Sequence, residues 1–358
     1  MNPDVSIIAP CRNEVEFVDV FLDSVFSQDL SGLSLEVLVV DGDSTDGTKE
    51  KLDQWAARDC RLTILPNPQK AVPTALNLGI AASSGNIIVR LDVHSTYPPD
   101  YVRQCVRALN ESGAHNAGGV CVTLPRRDST SARLVQAVTT HPFGVGSARF
   151  RLASEPGYVD TVPFGCYHRS LFDQIGMFDE RLHRNQDYEF NQRLRSVGGK
   201  IWLDPTIMVR YFNQPSLSAL YRQAVNNGQW NVWTWWVAPY AFNWRHLAPG
   251  VFVLFLAVLL LSGFLPSWAR LPMWVGGGMY MVAATFAATQ QAFRYRRLGF
   301  TILLPGAFFL YHLAYGMGLV LGSLRLAFGR SPVGNDTRPW SSSPRFRIQP
   351  SHLRIARD

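Results

Sequence analysis

Three long segments in the last third of this chain contain no Asp, Glu, Lys or Arg, and they constrain the fold more than any other feature. They cover residues 246–269, 271–293 and 298–324. A helix needs roughly 20 mostly apolar residues to cross a bilayer, so each segment is long enough to span one. Helices buried in a large core are the alternative, but three such segments in succession favour a membrane protein. We therefore predict three transmembrane helices within residues 248–326.

The ionisable residues divide the chain into two parts. The first 204 residues contain 20 basic and 25 acidic side chains, whereas the remainder contains 14 arginines, no lysine and two aspartates. The net charge of +7 therefore comes from the apolar part of the chain. A basic and apolar region is typical of a surface that meets anionic lipids, so we predict a lipid bilayer as partner and no nucleic acid.

The sequence leaves the number of membrane crossings open. Three crossings that start in the cytosol keep the arginines at 294–297 inside, as the positive-inside rule favours, but they export the arginine-rich tail 327–358. An even number of crossings keeps this tail inside. Either residues 223–244 form a fourth span, or one apolar segment such as 246–269 only dips into the bilayer. The tail is rich in Pro, Ser and Arg, and we predict that it is basic and flexible.

The first two hundred residues alternate between strand-like and helix-like segments. The strand-like runs are VSIIAP, LEVLVVDG, LTILP and NIIVRLD, and the helix-like segments are EVEFVDVFLDSVFSQ, TKEKLDQWAARD and VPTALNLGIAAS. This alternation predicts an α/β domain over residues 1–212, with a mostly parallel sheet and helices on both faces.

Two further features indicate that this domain is cytosolic. The five cysteines all precede the apolar segments, their number is odd, and none forms a Cys-x-x-Cys pair, so we expect free thiols in a reducing compartment. The N-terminus leads directly into a strand, so we expect no cleavable signal peptide.

Polar residues follow three of the predicted strands at the edge where parallel sheets bind their ligands. Side chains two positions apart in an extended segment point to the same side, so Asp92 and His94 are predicted to share one ligand. A solvated turn and helix cap is the alternative for the acidic loop 41–48. The candidate residues after the strands are Pro10, Asn13, Glu14, Asp41, Asp43, Asp92 and His94.

Residues 213–247 connect the two parts and are rich in tryptophan. Five of the ten tryptophans lie between residues 215 and 245. Because aromatic rings with a polar edge favour the headgroup level, we predict one or two amphipathic helices that lie on the membrane.

These motifs together resemble the family-2 glycosyltransferases with a GT-A fold, in particular the membrane-bound type that builds succinoglycan and related bacterial exopolysaccharides. SIIAPCRNE and VVDGDSTDGT are similar to the first two strand motifs of the family, although Gly42 and Asp43 alter the commoner Asp-Asp-Gly order. NPQKAVPTALNLGIAASSGNIIVRLDVH is similar to the segment that leads to the metal-binding motif. VDTVPFGCYHRSLFDQIGMFDE and RNQDYEFNQRLRSVGGKI resemble the acceptor-side strand and the helix of the catalytic base.

The resemblance implies roles for individual residues. Asp92 and His94 would bind Mg²⁺ or Mn²⁺, with the imidazole in place of the commoner second aspartate and favouring Mn²⁺. Asp187 would be the catalytic base, and capping of its own helix is the alternative. Pro10, Asn13, Glu14, Asp41, Asp43, Lys70, Asn77 and Asp92 are the candidates for contact with the nucleotide-sugar donor. Gly165, Glu189, Arg193, Gln229 and Trp230 are the candidates for contact with the acceptor or a phosphate.

The stretch Gly228-Gln229-Trp230 separates two kinds of enzyme. Processive relatives such as cellulose and hyaluronan synthases have Gln-x-x-Arg-Trp on an interfacial helix, whereas Gln229 precedes the tryptophan here. The missing arginine argues against a processive polymerase. Trp230 is predicted either to stack on an acceptor sugar or to anchor in the headgroups.

The resemblance implies an inverting enzyme of the bacterial inner membrane with its catalytic domain in the cytoplasm. It would transfer a hexose, with UDP-glucose as the expected donor, to a polyprenyl-diphosphate-linked oligosaccharide. One alternative is a polyprenyl-monophosphate glycosyltransferase. The other is a membrane-anchored protein that binds nucleotide sugars without turnover.

Overall fold

The computed structural model describes residues 2–146, 148–264 and 266–333, so most of the predicted tail lies outside the described residues. The strands are β1 (Val5–Cys11), β2 (Leu35–Asp41), β3 (Leu62–Pro66), β4 (Ile87–Arg90), β5 (Ser95–Thr96), β6 (Asn116–Leu124), β7 (Gly157–Tyr158), β8 (Cys166–His168) and β9 (Ile201–Phe212). The helices of the first part are α1 (Val18–Phe26), α2 (Thr48–Ala56), α3 (Val72–Ala82), α4 (Tyr101–Ser112), α5 (Thr130–Thr139), α6 (Pro142–Val145), α7 (Arg149–Leu152), α8 (Ser170–Ile175) and α9 (Gln186–Ser196). The later helices are α10 (Leu217–Val237), α11 (Ala248–Leu260), α12 (Ser267–Arg294) and α13 (Phe300–Ala327), with short 3₁₀ helices at Pro239–Ala241, Trp244–Leu247 and Leu261–Phe264.

The nine strands form one mixed sheet in the order β3-β2-β1-β4-β8-β6-β9-β5, with β7 beside β9. Strands β1 to β4 pair in parallel, and β6 and β9 also pair in parallel. Strand β8 is antiparallel to both β4 and β6. The prediction of a mostly parallel sheet is therefore confirmed. Because β1, β2 and β4 run in one direction, the residues that follow them meet at one edge of the sheet.

Side chains along β1 alternate between the two faces of the sheet, and the domain has one core on each face. Val5, Ile7 and Ala9 point into a core with α1 and α4, whereas Ile8 points into a core with α3, α8 and α9. This is the period of two expected of a strand buried on both faces. Helices thus cover both faces of the sheet, as predicted.

The three apolar segments are helical. Three helices are long and apolar enough to cross a membrane by length and composition, at Trp244–Phe264, Arg270–Arg294 and Phe300–Ala327. Helix α10 is not among them, so the fourth span proposed at 223–244 has no support from this criterion. The five cysteines are free thiols, as predicted.

Helix α10 packs along α13, and two glycines allow the close approach. A Cβ at Gly228 would lie 2.3 Å from the backbone oxygen of Tyr315, and a Cβ at Gly318 would lie 2.2 Å from that of Val225. These distances are shorter than any side chain tolerates, so the contact requires glycine at both positions.

Candidate active site

The backbone at Asp92 is fixed by a buried tyrosine. Strand β4 ends at Arg90, and the chain then turns instead of continuing extended through His94. The hydroxyl of Tyr97 accepts a hydrogen bond from the Asp92 N–H (2.8 Å) and donates one to the Asp92 carbonyl (3.0 Å). Both backbone groups of Asp92 are therefore satisfied by one side chain, which holds the carboxylate in place.

A buried arginine holds one oxygen of the Asp92 carboxylate. The guanidinium of Arg90 lies 2.7 Å from Asp92 Oδ1 and stacks over the ring of Phe164. Burial opposes the charge on Arg90, but the nearby carboxylates of Asp92 and Asp187 outweigh it and raise the pKa of Arg90. Arg90 is thus a fixed positive charge that both predicted functional aspartates share.

His94 lies between two carboxylates. Its Nδ1 is 3.2 Å from Glu14 Oε1, and its Nε2 is 3.9 Å from Asp92 Oδ2. Burial lowers the pKa of His94, but the hydrogen bond to Glu14 and the charge of Asp92 outweigh this, so the net pKa is raised. The predicted proximity of Asp92 and His94 is present, although a turn creates it and not an extended strand.

Asp187 lies in the first turn of α9, one residue after the helix begins. Its Oδ1 accepts a hydrogen bond from the N–H of Tyr188 at 2.8 Å, which is a local bond within the first turn. In the described part of the chain no hydrogen bond involves Oδ2 of Asp187. One oxygen thus supports the helix start, and the other is available to a ligand.

One cleft of about 440 Å³ at the sheet edge contains both aspartates. It is bounded by residues that follow β1, β2 and β4, by the start of α3, by the loop before α9 and by one face of α10. The polar residues that line it are Arg12, Glu14, Asn67, Lys70, Arg90, Asp92, His94, His183, Arg184, Asn185, Gln186, Asp187, Gln214, Gln223 and Asn227, together with Tyr211. Arginine and lysine outnumber the carboxylates in this set, so the cleft is suited to an anionic ligand.

Six of the predicted residues line this cleft together: Pro10, Glu14, Lys70, Asp92, His94 and Asp187. They come from segments that are far apart in the sequence, and the parallel sheet brings them to one edge.

Three predicted donor contacts stabilise the loop after β2 instead of lining the cleft. The carboxylate of Asp41 is buried and accepts hydrogen bonds from the backbone and hydroxyl of Ser44. Asn13 accepts a hydrogen bond from the Thr45 N–H. Asp43 is exposed, and its Oδ2 lies 2.6 Å from the ammonium of Lys70, which lowers the pKa of Asp43.

Asn77 and Gly165 have structural contacts and do not line the cleft, so their predicted contacts with donor and acceptor stay predictions. The amide of Asn77 donates to the Phe178 carbonyl and to Glu180, and its oxygen accepts from the Phe178 N–H. A Cβ at Gly165 would lie 2.2 Å from the hydroxyl of Tyr167, so glycine is needed there for packing.

Glu189 and Arg193 form a buried ion pair one turn apart on α9. Neither side chain is exposed, and the Arg193 Nη2 to Glu189 Oε2 distance is 2.9 Å. Arg193 also donates to the Ile175 carbonyl, and Tyr240 donates to Glu189. A fully enclosed pair cannot reach an acceptor or a phosphate, so the prediction of such contact is corrected.

Gln229 lies on the side of α10 that turns away from the cleft. Gln229 accepts a hydrogen bond from Arg325 in the last turn of α13, at 2.7 Å. Gln223 and Asn227 line the cleft instead. Two residues correspond to about 200° of helix rotation, so Asn227 and Gln229 face nearly opposite directions. Trp230 stacks on His183, which does line the cleft, so its contact with the site is indirect.

Arg90 and Arg184 also line the cleft and were not predicted from the sequence. Arg90 interrupts the apolar run NIIVRLD, and a charge inside a buried strand next to Asp92 was an available signal. Arg184 lies three residues before Asp187 and donates to Asn227 at 3.3 Å. Burial lowers the pKa of Arg184, and no carboxylate within the described residues forms an ion pair with it. A half-buried arginine of this kind indicates an anion site.

The sequence profile of the glycosyl transferase family 2 matches residues 6–176, which extend from the second residue of β1 through β8 and include the turn at Asp92. The chain contains a family 2 glycosyltransferase domain. Succinoglycan biosynthesis protein ExoA of Rhizobium meliloti (strain 1021) is 29% identical over 227 residues, which are 62% of this chain and 67% of that protein. This result confirms the predicted family and enzyme class.

Similarity to a second protein extends into the apolar part of the chain. This second protein is the dolichyl N-acetyl-alpha-D-glucosaminyl phosphate 3-beta-D-2,3-diacetamido-2,3-dideoxy-beta-D-glucuronosyltransferase of Methanococcus voltae, 24% identical over 331 residues. The alignment covers 89% of this chain and 98% of that protein. The protein is thus a family 2 glycosyltransferase that acts in polysaccharide or lipid-linked sugar biosynthesis.

A solved structure confirms the predicted GT-A fold. It is the mannosyltransferase PcManGT from Pyrobaculum calidifontis in complex with GDP-Man and Mn²⁺, with a TM-score of 0.58 and 19% identity. The likeness covers 88% of this chain and 87% of the mannosyltransferase, so it includes the apolar helices. Together with their length and composition, these helices indicate association with a membrane.

Proposed function

We propose that this glycosyltransferase inverts the anomeric carbon while it transfers a hexose from a nucleotide sugar to a lipid-linked oligosaccharide. The observation that supports this best is that Asp92 and Asp187 line one basic cleft from different elements. The carboxylate at the strand end can hold a cation that stabilises the leaving diphosphate. The carboxylate at the helix start can take a proton from the attacking hydroxyl. UDP-glucose is the proposed donor, and a polyprenyl-diphosphate-linked oligosaccharide is the proposed acceptor.

The donor set near Asp92 fits a divalent cation. Mg²⁺ and Mn²⁺ are commonly held by one or two carboxylates together with substrate phosphates and water. This agrees with the described residues, in which no three His, Cys, Asp or Glu side chains form a metal cluster. Two ligands that each lie about 2.1 Å from an ion are at most about 4.2 Å apart. The 3.9 Å between Asp92 Oδ2 and His94 Nε2 satisfies this limit.

The bound cation would act as a Lewis acid that stabilises charge on the departing diphosphate. Asp92 Oδ2 would hold it, because Oδ1 is engaged by Arg90. The imidazole of His94 would have to release its proton before it could contribute Nε2. Glu14 orients this imidazole through Nδ1, which directs Nε2 towards Asp92.

The cationic side chains of the cleft would hold the diphosphate. Lys70 and Arg12 lie on the side formed by β1 and α3, and Arg184 lies beside Asp187. Arginine binds phosphate oxygens through paired N–H groups, so Arg184 is the residue we assign to the leaving diphosphate.

Asp187 would act as the general base. Its Oδ2 takes the proton of the acceptor hydroxyl while the hydroxyl oxygen attacks the anomeric carbon. The bond from that carbon to the diphosphate breaks at the same time, and the nucleoside diphosphate leaves with the bonding electrons. A single displacement inverts the carbon, so an α-linked donor gives a β-linked product. The name of the Methanococcus voltae relative describes a beta-linked transfer to a sugar on a lipid phosphate, which supports the proposal.

Substitution of the base tests this proposal. Asp187→Asn should lower the transfer rate by about 10²–10⁴-fold, since this is the usual contribution of a positioned base. Binding of UDP-glucose should be retained. Asp173→Asn is the matched control, because Asp173 is an exposed aspartate in the first turn of α8. Transfer is measured with purified protein, a panel of sugar nucleotides and lipid extract as acceptor.

The same substitution distinguishes the proposed oligosaccharide acceptor from the alternative acceptor, a polyprenyl monophosphate. The phosphate of a polyprenyl monophosphate is already ionised at neutral pH and needs no base, so Asp187→Asn would then have a mild effect. The observation that favours this alternative is a dolichol-phosphate mannosyltransferase of Pyrococcus furiosus that is 30% identical over 105 residues. A mild effect with wild-type donor binding would therefore replace the oligosaccharide acceptor by a lipid phosphate.

A further inference from the structure

A second cavity, of about 550 Å³, lies between the catalytic domain and the apolar helices. The domain contributes the segment around α6 and α7, the region before α11 contributes Arg245 and His246, and helices α11 to α13 close the other side. It is separate from the cleft that contains Asp92. We propose that this cavity binds the first isoprenoid units of a lipid-linked acceptor and the phosphate next to them, a part that polyprenyl monophosphates and diphosphates share. This inference rests on the proposed function.

The polar part of the cavity suits a phosphate. Arg151 and Arg245 line it together with one carboxylate, Asp160, which forms an ion pair with Arg245. Positive charge is therefore in excess among these residues. Nδ1 of His246 is buried and has no hydrogen-bond partner within the described ranges. The buried hydroxyl of Tyr188 likewise has no hydrogen bond of normal geometry there, although Asn243 is close to it.

Nδ1 of His246 and the hydroxyl of Tyr188 have almost no accessible surface, so the arginines are the groups that a ligand in the cavity would meet. His246 and Tyr188 both line this cavity, on the side where Arg245 lies. A phosphate oxygen would accept hydrogen bonds from the guanidinium groups of Arg151 and Arg245. The two arginines would balance its charge.

The remaining wall is aromatic. The rings of Phe252 and Tyr280 are stacked with centroids 4.6 Å apart, and Phe143 of the domain lies 5.5 Å from Tyr280. Tyr311 and Tyr315 of α13 complete this wall. An apolar wall with polar groups at one side fits an amphiphile that has a compact anionic head and an unsaturated chain.

The cavity adjoins the cleft through two contacts. Tyr188 of the cavity follows Asp187 of the cleft, and the guanidinium of Arg151 lies over the ring of Tyr211 at 5.7 Å. Tyr211 lines the cleft, so Arg151 and Tyr211 form part of the wall between the two spaces. A phosphate at Arg151 and Arg245 would leave the rest of the acceptor on the side of Asp187.

Farnesyl phosphate is the probe that tests this assignment on the full chain in detergent. We expect it to raise the melting temperature, whereas farnesol, inorganic phosphate and phosphatidylglycerol should have little effect. Ala148→Trp fills the cavity and should weaken the affinity for farnesyl phosphate by about tenfold or more, equivalent to about 1.4 kcal/mol. Binding of UDP-glucose should be unchanged. Ala148→Leu is a smaller replacement to use if the tryptophan prevents folding.

Val275→Trp is the matched control, because Val275 lies on α12 but is exposed and outside the cavity. Equal stabilisation by phosphatidylglycerol would overturn the assignment to an isoprenoid phosphate, and unchanged affinity in both Ala148 variants would overturn the location. A failure of the proposed function gives a different result. Asp187→Asn would then leave the transfer rate unchanged, while Ala148→Trp would still weaken the affinity for farnesyl phosphate.

Discussion

Asp92 differs from Asp187 in how its carboxylate is held. Arg90 binds one oxygen of Asp92 and Tyr97 fixes its backbone, so its orientation does not depend on a ligand. Among the described residues, the N–H of Tyr188 alone holds the carboxylate of Asp187. A group that positions a cation benefits from rigidity, because each ligand is then preorganised. A base that must meet a variable hydroxyl benefits from one free oxygen.

At the same scale, the ion pair of Glu189 and Arg193 predicts a loss of stability and not of chemistry. Glu189→Gln leaves the buried guanidinium of Arg193 without its counter-charge, and breaking a buried pair in this way costs about 3–5 kcal/mol. We expect a large fall in the melting temperature of the detergent-solubilised protein. At temperatures where the variant is folded, its specific activity should be close to that of the wild type.

The control for this change is Glu111→Gln. Glu111 pairs with Arg107 at the same spacing of four residues, but the pair is exposed and 3.9 Å apart. Its loss should have an effect near zero, since exposed pairs contribute about 0–1 kcal/mol. A stable Glu189→Gln protein with no activity would contradict the structural role.

At this scale, the residues that could be placed from the sequence are those that follow strands. Asp92, His94 and Glu14 follow parallel strands, and the rule that ligands bind there placed them correctly in one cleft. Asn77 and Glu189 lie on helices, where the face that meets the site depends on tertiary packing. Nothing local in the sequence distinguishes a buried Glu189 from an exposed one, so their placement required the structure.

At the scale of elements, the crossing of α10 and α13 joins the catalytic domain to the apolar region. The sequence indicated three apolar helices, and these helices are present where predicted. It did not reveal that α10 packs on α13, because its tryptophans suggested contact with lipid. The contact between Gly228 and Tyr315 was not predictable, since the two residues lie on helices that are far apart in the sequence.

This crossing predicts the effect of a small substitution. Gly318→Val places a Cβ 2.2 Å from the carbonyl oxygen of Val225, so the helices must separate. Overpacking of this kind costs about 1–3 kcal/mol, and we expect a lower melting temperature and lower transfer activity. Gly306→Val on the same helix is the control, because a Cβ there would have no atom of the described residues within 4 Å outside its own helix turn. Equal behaviour of the two variants in gel filtration and melting would argue against a tight crossing.

At the scale of the whole molecule, both ends of α13 contact the catalytic region. Near its start, Leu304 and Phe308 pack with Val135 of α5. At its end, Arg325 donates to Gln229, and the chain beyond the helix packs against Leu182 through Val333. A helix with both ends against one domain lies along the membrane surface more readily than across it. Its exposed apolar residues Ile302, Leu303, Leu310, Met317, Leu321 and Leu324 lie on one side of the helix.

The expected topology is therefore two crossings, by α11 and α12, with residues 328–333 on the side of the catalytic domain. Single cysteines at Trp268→Cys and Ser331→Cys report on this in a Cys60→Ser background. A membrane-impermeant maleimide should label position 268 in intact cells and position 331 only after permeabilisation. Cys60 of the unmodified protein is exposed and marks the side of the domain. Labelling of position 331 in intact cells would mean that α13 crosses.

The central claim is that Asp92 holds the divalent cation that serves the departing diphosphate, and equilibrium binding of Mn²⁺ in the presence of UDP tests it most directly. Asp59→Asn is the control, because Asp59 also pairs with an arginine two residues away but lies outside the cleft. We predict that the wild type and Asp59→Asn bind one Mn²⁺ that is visible by electron paramagnetic resonance, and that Asp92→Asn does not. Mn²⁺ binding by Asp92→Asn at wild-type affinity would contradict the claim.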